Sequence, residues 1–160
     1  MSIPTGSSLP SLVIEVTPRF IVSTALATRD FQDVHHDRDR AVAGGAKDIF
    51  LNILTSTGLV QRYVSDWAGP AAVVRAVAIR LGVPCYPYSR LTFSGEVTGR
   101  EGADVTVTVV GRVSTGNHVT GTVTVTLPEP DGPGAPGEPG GPVERGSSGQ
   151  ADPGDQAGPA

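Results

Sequence analysis

Between His118 and Leu127 the chain alternates with period two. Val119, Val123, Val125 and Leu127 fall on one face with Gly121, and Thr120, Thr122, Thr124 and Thr126 on the other. This is the pattern of a half-buried antiparallel strand, and Ser114-Thr-Gly-Asn117 makes the hairpin before it. Ala72 to Leu81 alternates more loosely. Leu91 to Thr98 and Asp104 to Val113 give two further strands, separated by turns that contain Gly and Pro. Upstream, Ser11 to Val16 and Phe20 to Leu26 carry β-branched and aliphatic residues on either side of Pro18, which predicts one irregular strand or two short ones.

A different pattern runs from Asp48 to Trp67. Ile49, Phe50, Leu51, Ile53, Leu54, Leu59, Val60, Tyr63, Val64 and Trp67 predict one long helix, apolar on nearly every side in its first half. Such a helix wants burial all round. Asp48 fits its N-cap or first turn. Gly58 costs about 1 kcal/mol relative to alanine in a helix interior, and a close approach by another backbone would explain it. One buried helix followed by antiparallel strands predicts an α+β domain whose sheet curls around the helix, the outline of a hot-dog fold.

With 160 residues, 38% of them hydrophobic, the chain has room for one modest core. The net charge of -4 conceals two regions. Residues 128–160 hold nine Gly, eight Pro and six acidic residues, with Val143 as the only large aliphatic, so they predict a disordered acidic tail. The domain, 1–127, is near neutral and has no Lys/Arg run, which argues against nucleic acid or an anionic membrane surface as its main partner. Cys85 is the single cysteine; it excludes an intrachain disulfide or a Cys-rich zinc site, fits a cytoplasmic chain and reads as a packing residue. Glu15 and Arg19 interrupt the apolar residues of 12–26, and no uninterrupted apolar run approaches a membrane span, so neither a signal peptide nor a transmembrane helix is expected.

The chemistry gathers in the polar segment from Thr28 to Arg40, ahead of the helix. Asp30 and His35 stand five residues apart there, and a carboxylate and an imidazole can share one water. The alternative is a solvated charged loop, with Asp30, Asp33, Asp37 and Asp39 set against Arg29, Arg38 and Arg40. His35-His36-Asp37 also raises metal binding, but adjacent histidines rarely reach the same ion and no further ligand cluster follows. His118, after a turn, reads as an ordinary surface residue. Tyr63, Trp67, Tyr86 and Tyr88 read as packing residues ahead of an acyl-pocket lining.

Asp30 to Asp37 resembles the MaoC-like, or hydratase 2, motif Asp-x-Asn-Pro-x-His-x-Asp. Asp30, His35 and Asp37 match it, and Gln32-Asp33 replaces Asn-Pro. Where that family opens its helix with Ala-His-Gly, this chain has Lys47-Asp48-Ile49, so the resemblance gives the backbone N–H of Ile49 the role of donor to the thioester oxygen. RDFQDVHHDRD and KDIFLNILTSTGLVQRYVSDWAGP together resemble the small MaoC-like subunit of actinobacterial steroid side-chain hydratases, over roughly residues 10–127. The resemblance implies a hot-dog domain that hydrates a steroid α,β-unsaturated acyl-CoA without metal or redox cofactor, with Asp30 and His35 catalytic. It also implies a second MaoC-like subunit as partner and, further off, a thiolase-like aldolase. A hot-dog thioesterase and a structural subunit that completes its partner's site are the rival readings.

Overall fold

In the computed structural model, which describes residues 3–128, the period-two pattern extends across three central strands: β3 (Ser89–Glu101), β4 (Asp104–Val113) and β5 (Gly116–Thr126). Leu91, Phe93 and Val97 of β3, Val105, Val107 and Val109 of β4, and Val119, Val123 and Val125 of β5 are fully buried on one face. The alternate residues, many of them threonines, stand on the more exposed face. β1 (Ser8–Val16) and β2 (Val73–Leu81) form the two edges of an antiparallel sheet in the order β1-β3-β4-β5-β2.

The helix α3 (Ile53–Ala68) packs on the apolar face through Leu59, Val60, Tyr63 and Val64. Tyr63 stacks on Phe93 with ring centroids 5.8 Å apart. Beside them a Cβ on Gly95 would lie 3.0 Å from Tyr63 Cε1, so the strand carries glycine where the aromatic presses on the sheet. This is the α+β hot-dog arrangement expected from the pattern. Cys85 is a packing residue as expected: it is fully buried, and burial pushes its thiol up to about 11 against a lowering contact from Ser89.

Five local expectations are corrected. Phe20 to Leu26 is not strand but part of a helix, α1 (Pro18–Ala27). Thr17 caps it by accepting the Phe20 N–H at 3.0 Å, and Pro18 sits in its first turn, where a missing N–H costs nothing. Ile21 and Ala25, four apart, form its buried stripe. The polar segment is also more ordered than a loop: a 3-10 turn (Asp33–His35) leads into α2 (Arg38–Ala43), and Asp37 caps α2 by accepting the Arg40 N–H at 3.1 Å.

The long helix starts at Ile53, not at Asp48. Asn52 is its N-cap, and Ile49 and Leu51 belong to a preceding non-helical segment in which Leu51 N–H donates to the Cys85 carbonyl at 3.0 Å. The helix therefore buries one face, leaving Ile53 and Leu54 about half exposed. Gly58 lies on its exposed side, and among the described residues an added Cβ there meets no atom within 4 Å outside the helix's own backbone, so no other element approaches it. The proposed tail, 128–160, lies outside the described residues apart from Pro128.

Candidate active site

The Asp30–His35 pair is assembled from three directions. The end of α1 turns back through Arg29, at φ 56°, and the Asp30 N–H closes onto the Ala25 carbonyl at 2.9 Å. Arg29 thus holds a left-handed conformation that a bulky residue adopts only at a cost. The 3-10 turn brings His35 inward, where its ring meets Phe50 edge to face with centroids 5.0 Å apart. Asn52 arrives with the start of α3.

His35 Nδ1 lies 2.7 Å from the Phe50 carbonyl oxygen. A carbonyl only accepts, so Nδ1 carries the hydrogen, and in the neutral form of the ring Nε2 turns a lone pair toward Asp30. Nε2 and Asp30 Oδ2 stand 3.5 Å apart, with the two side chains 7% and 18% exposed. Two acceptors at that distance do not bond each other, but one water can donate to both.

Asp30 is held by two donors. Asn52 Nδ2 reaches Oδ2 at 3.0 Å, and the Gln32 N–H reaches Oδ1 at 3.3 Å. Burial pushes the Asp30 carboxyl up, but the Asn52 hydrogen bond, the Gln32 N–H and the nearby His35 and His36 outweigh it, so the group lies below its ordinary value of 3.8. It is a carboxylate at neutral pH. His36 points elsewhere: its Nε2 meets the Asp30 backbone carbonyl at 2.6 Å, so the adjacent histidines do not converge on one ion.

The expectation for Ile49 is also corrected in its geometry. Its N–H donates to Asp48 Oδ1 at 2.8 Å, four residues before α3 begins, and Asp48 also pairs with Arg38 at 3.4 Å. At the true helix start, Thr55 N–H is capped by Asn52 Oδ1 at 2.9 Å and Ser56 N–H meets the Asn52 carbonyl at 3.1 Å. The first-turn amides of Ile53 and Leu54 are the ones helix geometry leaves without an internal acceptor, at the positive end of the helix dipole.

His118 is not a surface residue. It is 1% exposed, with Nδ1 2.9 Å from the Val83 carbonyl and Nε2 2.9 Å from Ser56 Oγ. The register explains this: Gly111 pairs with Val119 but Arg112 with Asn117, so His118 is an extra residue whose bulge turns it inward beside Val119. Tyr63 belongs to the core and Trp67 packs against that core; Tyr86 meets Phe50 edge to face with ring centroids 6.3 Å apart, and Tyr88 is exposed. A cavity of about 630 Å³ on the sheet, lined by Arg90, Thr92, Ser94, Val110 and Arg112 among others, includes neither Asp30 nor His35. The hydrogen-bond geometry, not that hollow, locates the candidate chemistry.

The long helix α3 packed on one face of this sheet, with an Asp-x4-His pair on the segment ahead of it, defines a protein of the MaoC-like hot-dog class. No protein-family model matches the chain. It is 63% identical over 122 residues to the 3-oxo-4,17-pregnadiene-20-carboxyl-CoA hydratase beta subunit of Mycobacterium tuberculosis, covering 76% of this chain and 95% of that one. A chain of the M. tuberculosis ChsH1-ChsH2 complex superposes with a TM-score of 0.78 at 61% identity, covering 80% of this chain and all of the other. The (R)-hydratase of A. caviae involved in PHA biosynthesis shares the fold at a TM-score of 0.72 and 21% identity, over 79% of this chain and 98% of its own. The chain belongs to the MaoC-like hydratase family that contains the M. tuberculosis beta subunit.

Proposed function

We propose that this chain is the catalytic small subunit of an enoyl-CoA hydratase acting on a steroid side-chain thioester, with Asp30 and His35 holding the attacking water. The substrate class follows from the relative at 63% identity. The observation that carries the residue assignment is the pair of facing acceptors, His35 Nε2 and Asp30 Oδ2, 3.5 Å apart.

A water between them donates one hydrogen to each. As its oxygen attacks the β-carbon, His35 Nε2 takes a proton, imidazole being the stronger base as a class. The Asp30 carboxylate beside it favours the imidazolium that forms. The displaced π electrons pass to the thioester oxygen as an enolate, which the first-turn amides of Ile53 and Leu54 suit as donors. Collapse of the enolate takes the proton from His35 onto the α-carbon. The net change is hydroxyl on the β-carbon and hydrogen on the α-carbon.

The partner is a second MaoC-like subunit, and the complex formed by a chain 61% identical to this one supports that reading. A thiolase-like aldolase suits the next step, because a β-hydroxy thioester is what a retro-aldol cleavage requires. The test is enoyl absorbance loss with the assembled complex. Hydration that disappears when Asp30→Asn or His35→Ala is made in this chain alone is the expected result. Undiminished hydration would assign the chemistry to the partner, and release of free CoA from a saturated acyl-CoA would mark a thioesterase.

A further inference from the structure

The side chain of Asn52 was not singled out by the sequence, yet it is the most fully committed polar group near the pair. It is 2% exposed. Its Oδ1 accepts the Thr55 N–H at 2.9 Å, and its Nδ2 donates to Thr28 Oγ1 at 2.9 Å and to Asp30 Oδ2 at 3.0 Å. The orientation of the amide is thereby determined. Oδ1 faces a backbone donor, and Nδ2 faces a carboxylate and a hydroxyl whose own hydrogen goes back to the Thr24 carbonyl at 2.8 Å. Reversing the amide would break all three bonds.

The helix turn that carries Asn52 is itself fastened to the sheet. Ser56 Oγ lies 3.0 Å from the Asn52 carbonyl and 2.9 Å from His118 Nε2, and His118 is bonded in turn to Val83. Sheet, helix cap and carboxylate form one continuous chain of contacts.

We infer that Asn52 is a positioning residue for hydration, fixing the Asp30 carboxylate so that Oδ2 stays beside His35 Nε2. The inference rests on the hydratase reading given above. Without Asn52, the donor left to Asp30 among the described residues is the Gln32 N–H, at 3.3 Å, and its Oδ2 is free to swing from the water. A displacement of about 1 Å at a reacting group is enough to lower a rate on the order of 100-fold.

Asn52→Asp separates this role from helix capping. Aspartate caps as well as asparagine, so α3 keeps its start, but an oxygen replaces the donor that faces Asp30. Two carboxylates in contact do not both ionise. At acidic pH the shared proton restores a donor to Asp30 Oδ2; as pH rises and that proton leaves, the carboxylates repel. Among the described residues, the other titratable groups acting on Asp30 are His35 of the 3-10 turn and His36 just after it, while the C-cap of α1 and the N-cap of α3 present neutral Thr28 and Asn52. The ratio of the two rates at each pH sets aside what wild type and variant share.

The experiment measures kcat and KM of the partnered enzyme between roughly pH 5 and pH 9. We expect the Asn52→Asp to wild-type kcat ratio to fall about 10- to 100-fold with rising pH, with KM nearly constant. Asn52→Ser keeps a capping oxygen and lacks a donor of that reach; its kcat is expected to fall about 10-fold or more with a flat pH ratio. A kcat unchanged in Asn52→Ser, or a flat ratio near unity in a folded Asn52→Asp, overturns the inference. A wild-type complex without hydratase activity overturns instead the reading on which it rests.

Discussion

His118 Nε2 meets Ser56 Oγ at 2.9 Å, tying the β5 bulge to the first turn of α3. Burial pushes the His118 imidazole below its ordinary value of 6.5, with the Val83 carbonyl opposing. The unfolded chain therefore binds a proton that the folded chain resists, and the stability contributed by neutral His118 is fully present above pH 6.5 and lost as pH falls toward the folded value. Melting temperature should drop on going from about pH 7.5 to about pH 5.5. In His118→Gln, which is less stable at the higher pH, that drop should shrink. Equal drops in both proteins would place the titration elsewhere.

Asp30→Asn preserves shape, and its amide oxygen can still accept from Asn52. It removes the charge that favours the imidazolium, so turnover should fall by about 100- to 10,000-fold. The stability contribution runs in the same direction with pH as that of His118, but here the ionised form is the stabilising one. Because folding holds Asp30 below 3.8, its ionised form stabilises the fold above that pH, and the contribution is lost as pH falls through the folded value. Denaturant titrations of wild type and Asp30→Asn should therefore converge as the solution is acidified below pH 3.8. A gap that widens on acidification contradicts the ionic role.

How much of this was legible beforehand varied with the physics of each element. Period two on β5 and the apolar content of β3 and β4 reflect a one-sided burial that the sequence records directly. α1 was misread because Val22 and Thr24 favour strands, whereas the Thr17-Pro18 cap and the Ile21/Ala25 spacing decide for helix. The start of α3 is misplaced because Ile49 and Leu51 are buried and Phe50 partly so by tertiary contacts that look helical in sequence; Asn52 followed by Ile-Leu-Thr is the available cap signal. Asp30 and His35 were visible through motif spacing. His118 was not, since a one-residue bulge moves it to the core and leaves no mark on the strand pattern.

Gly58 sits in the α3 interior with open space where a Cβ would stand. Gly58→Ala should stabilise the isolated chain by about 0.5–1 kcal/mol through helix propensity and reduced unfolded-state freedom. Chemical denaturation reads this directly. A variant stabilised alone but weakened in the complex would locate the partner subunit against this stretch of α3, and destabilisation of the isolated chain would contradict the open environment.

Leu26, Phe31, Ile53 and Leu54 are large apolar side chains exposed by half or more, and each lies within four residues of Asp30 or Asn52 in the chain. Scattered apolar residues are ordinary on a surface, but four flanking one polar pair suit cover by the partner subunit or the acyl group. Phe31, 66% exposed, gives the cleanest test because its removal leaves little of the chain's own core disturbed. Phe31→Ser should change the stability of the isolated chain by less than about 0.5 kcal/mol. If the ring is covered in the working enzyme, its burial contributes about 1.5–3 kcal/mol, which corresponds to a roughly 10- to 100-fold weakening of whichever contact it makes. A raised dissociation constant for the partner, measured by sedimentation, assigns Phe31 to the interface. A raised KM with intact assembly assigns it to the acyl group, because loss of uniform binding leaves kcat in place. Unchanged assembly and unchanged KM would show that this apolar rim stays in water.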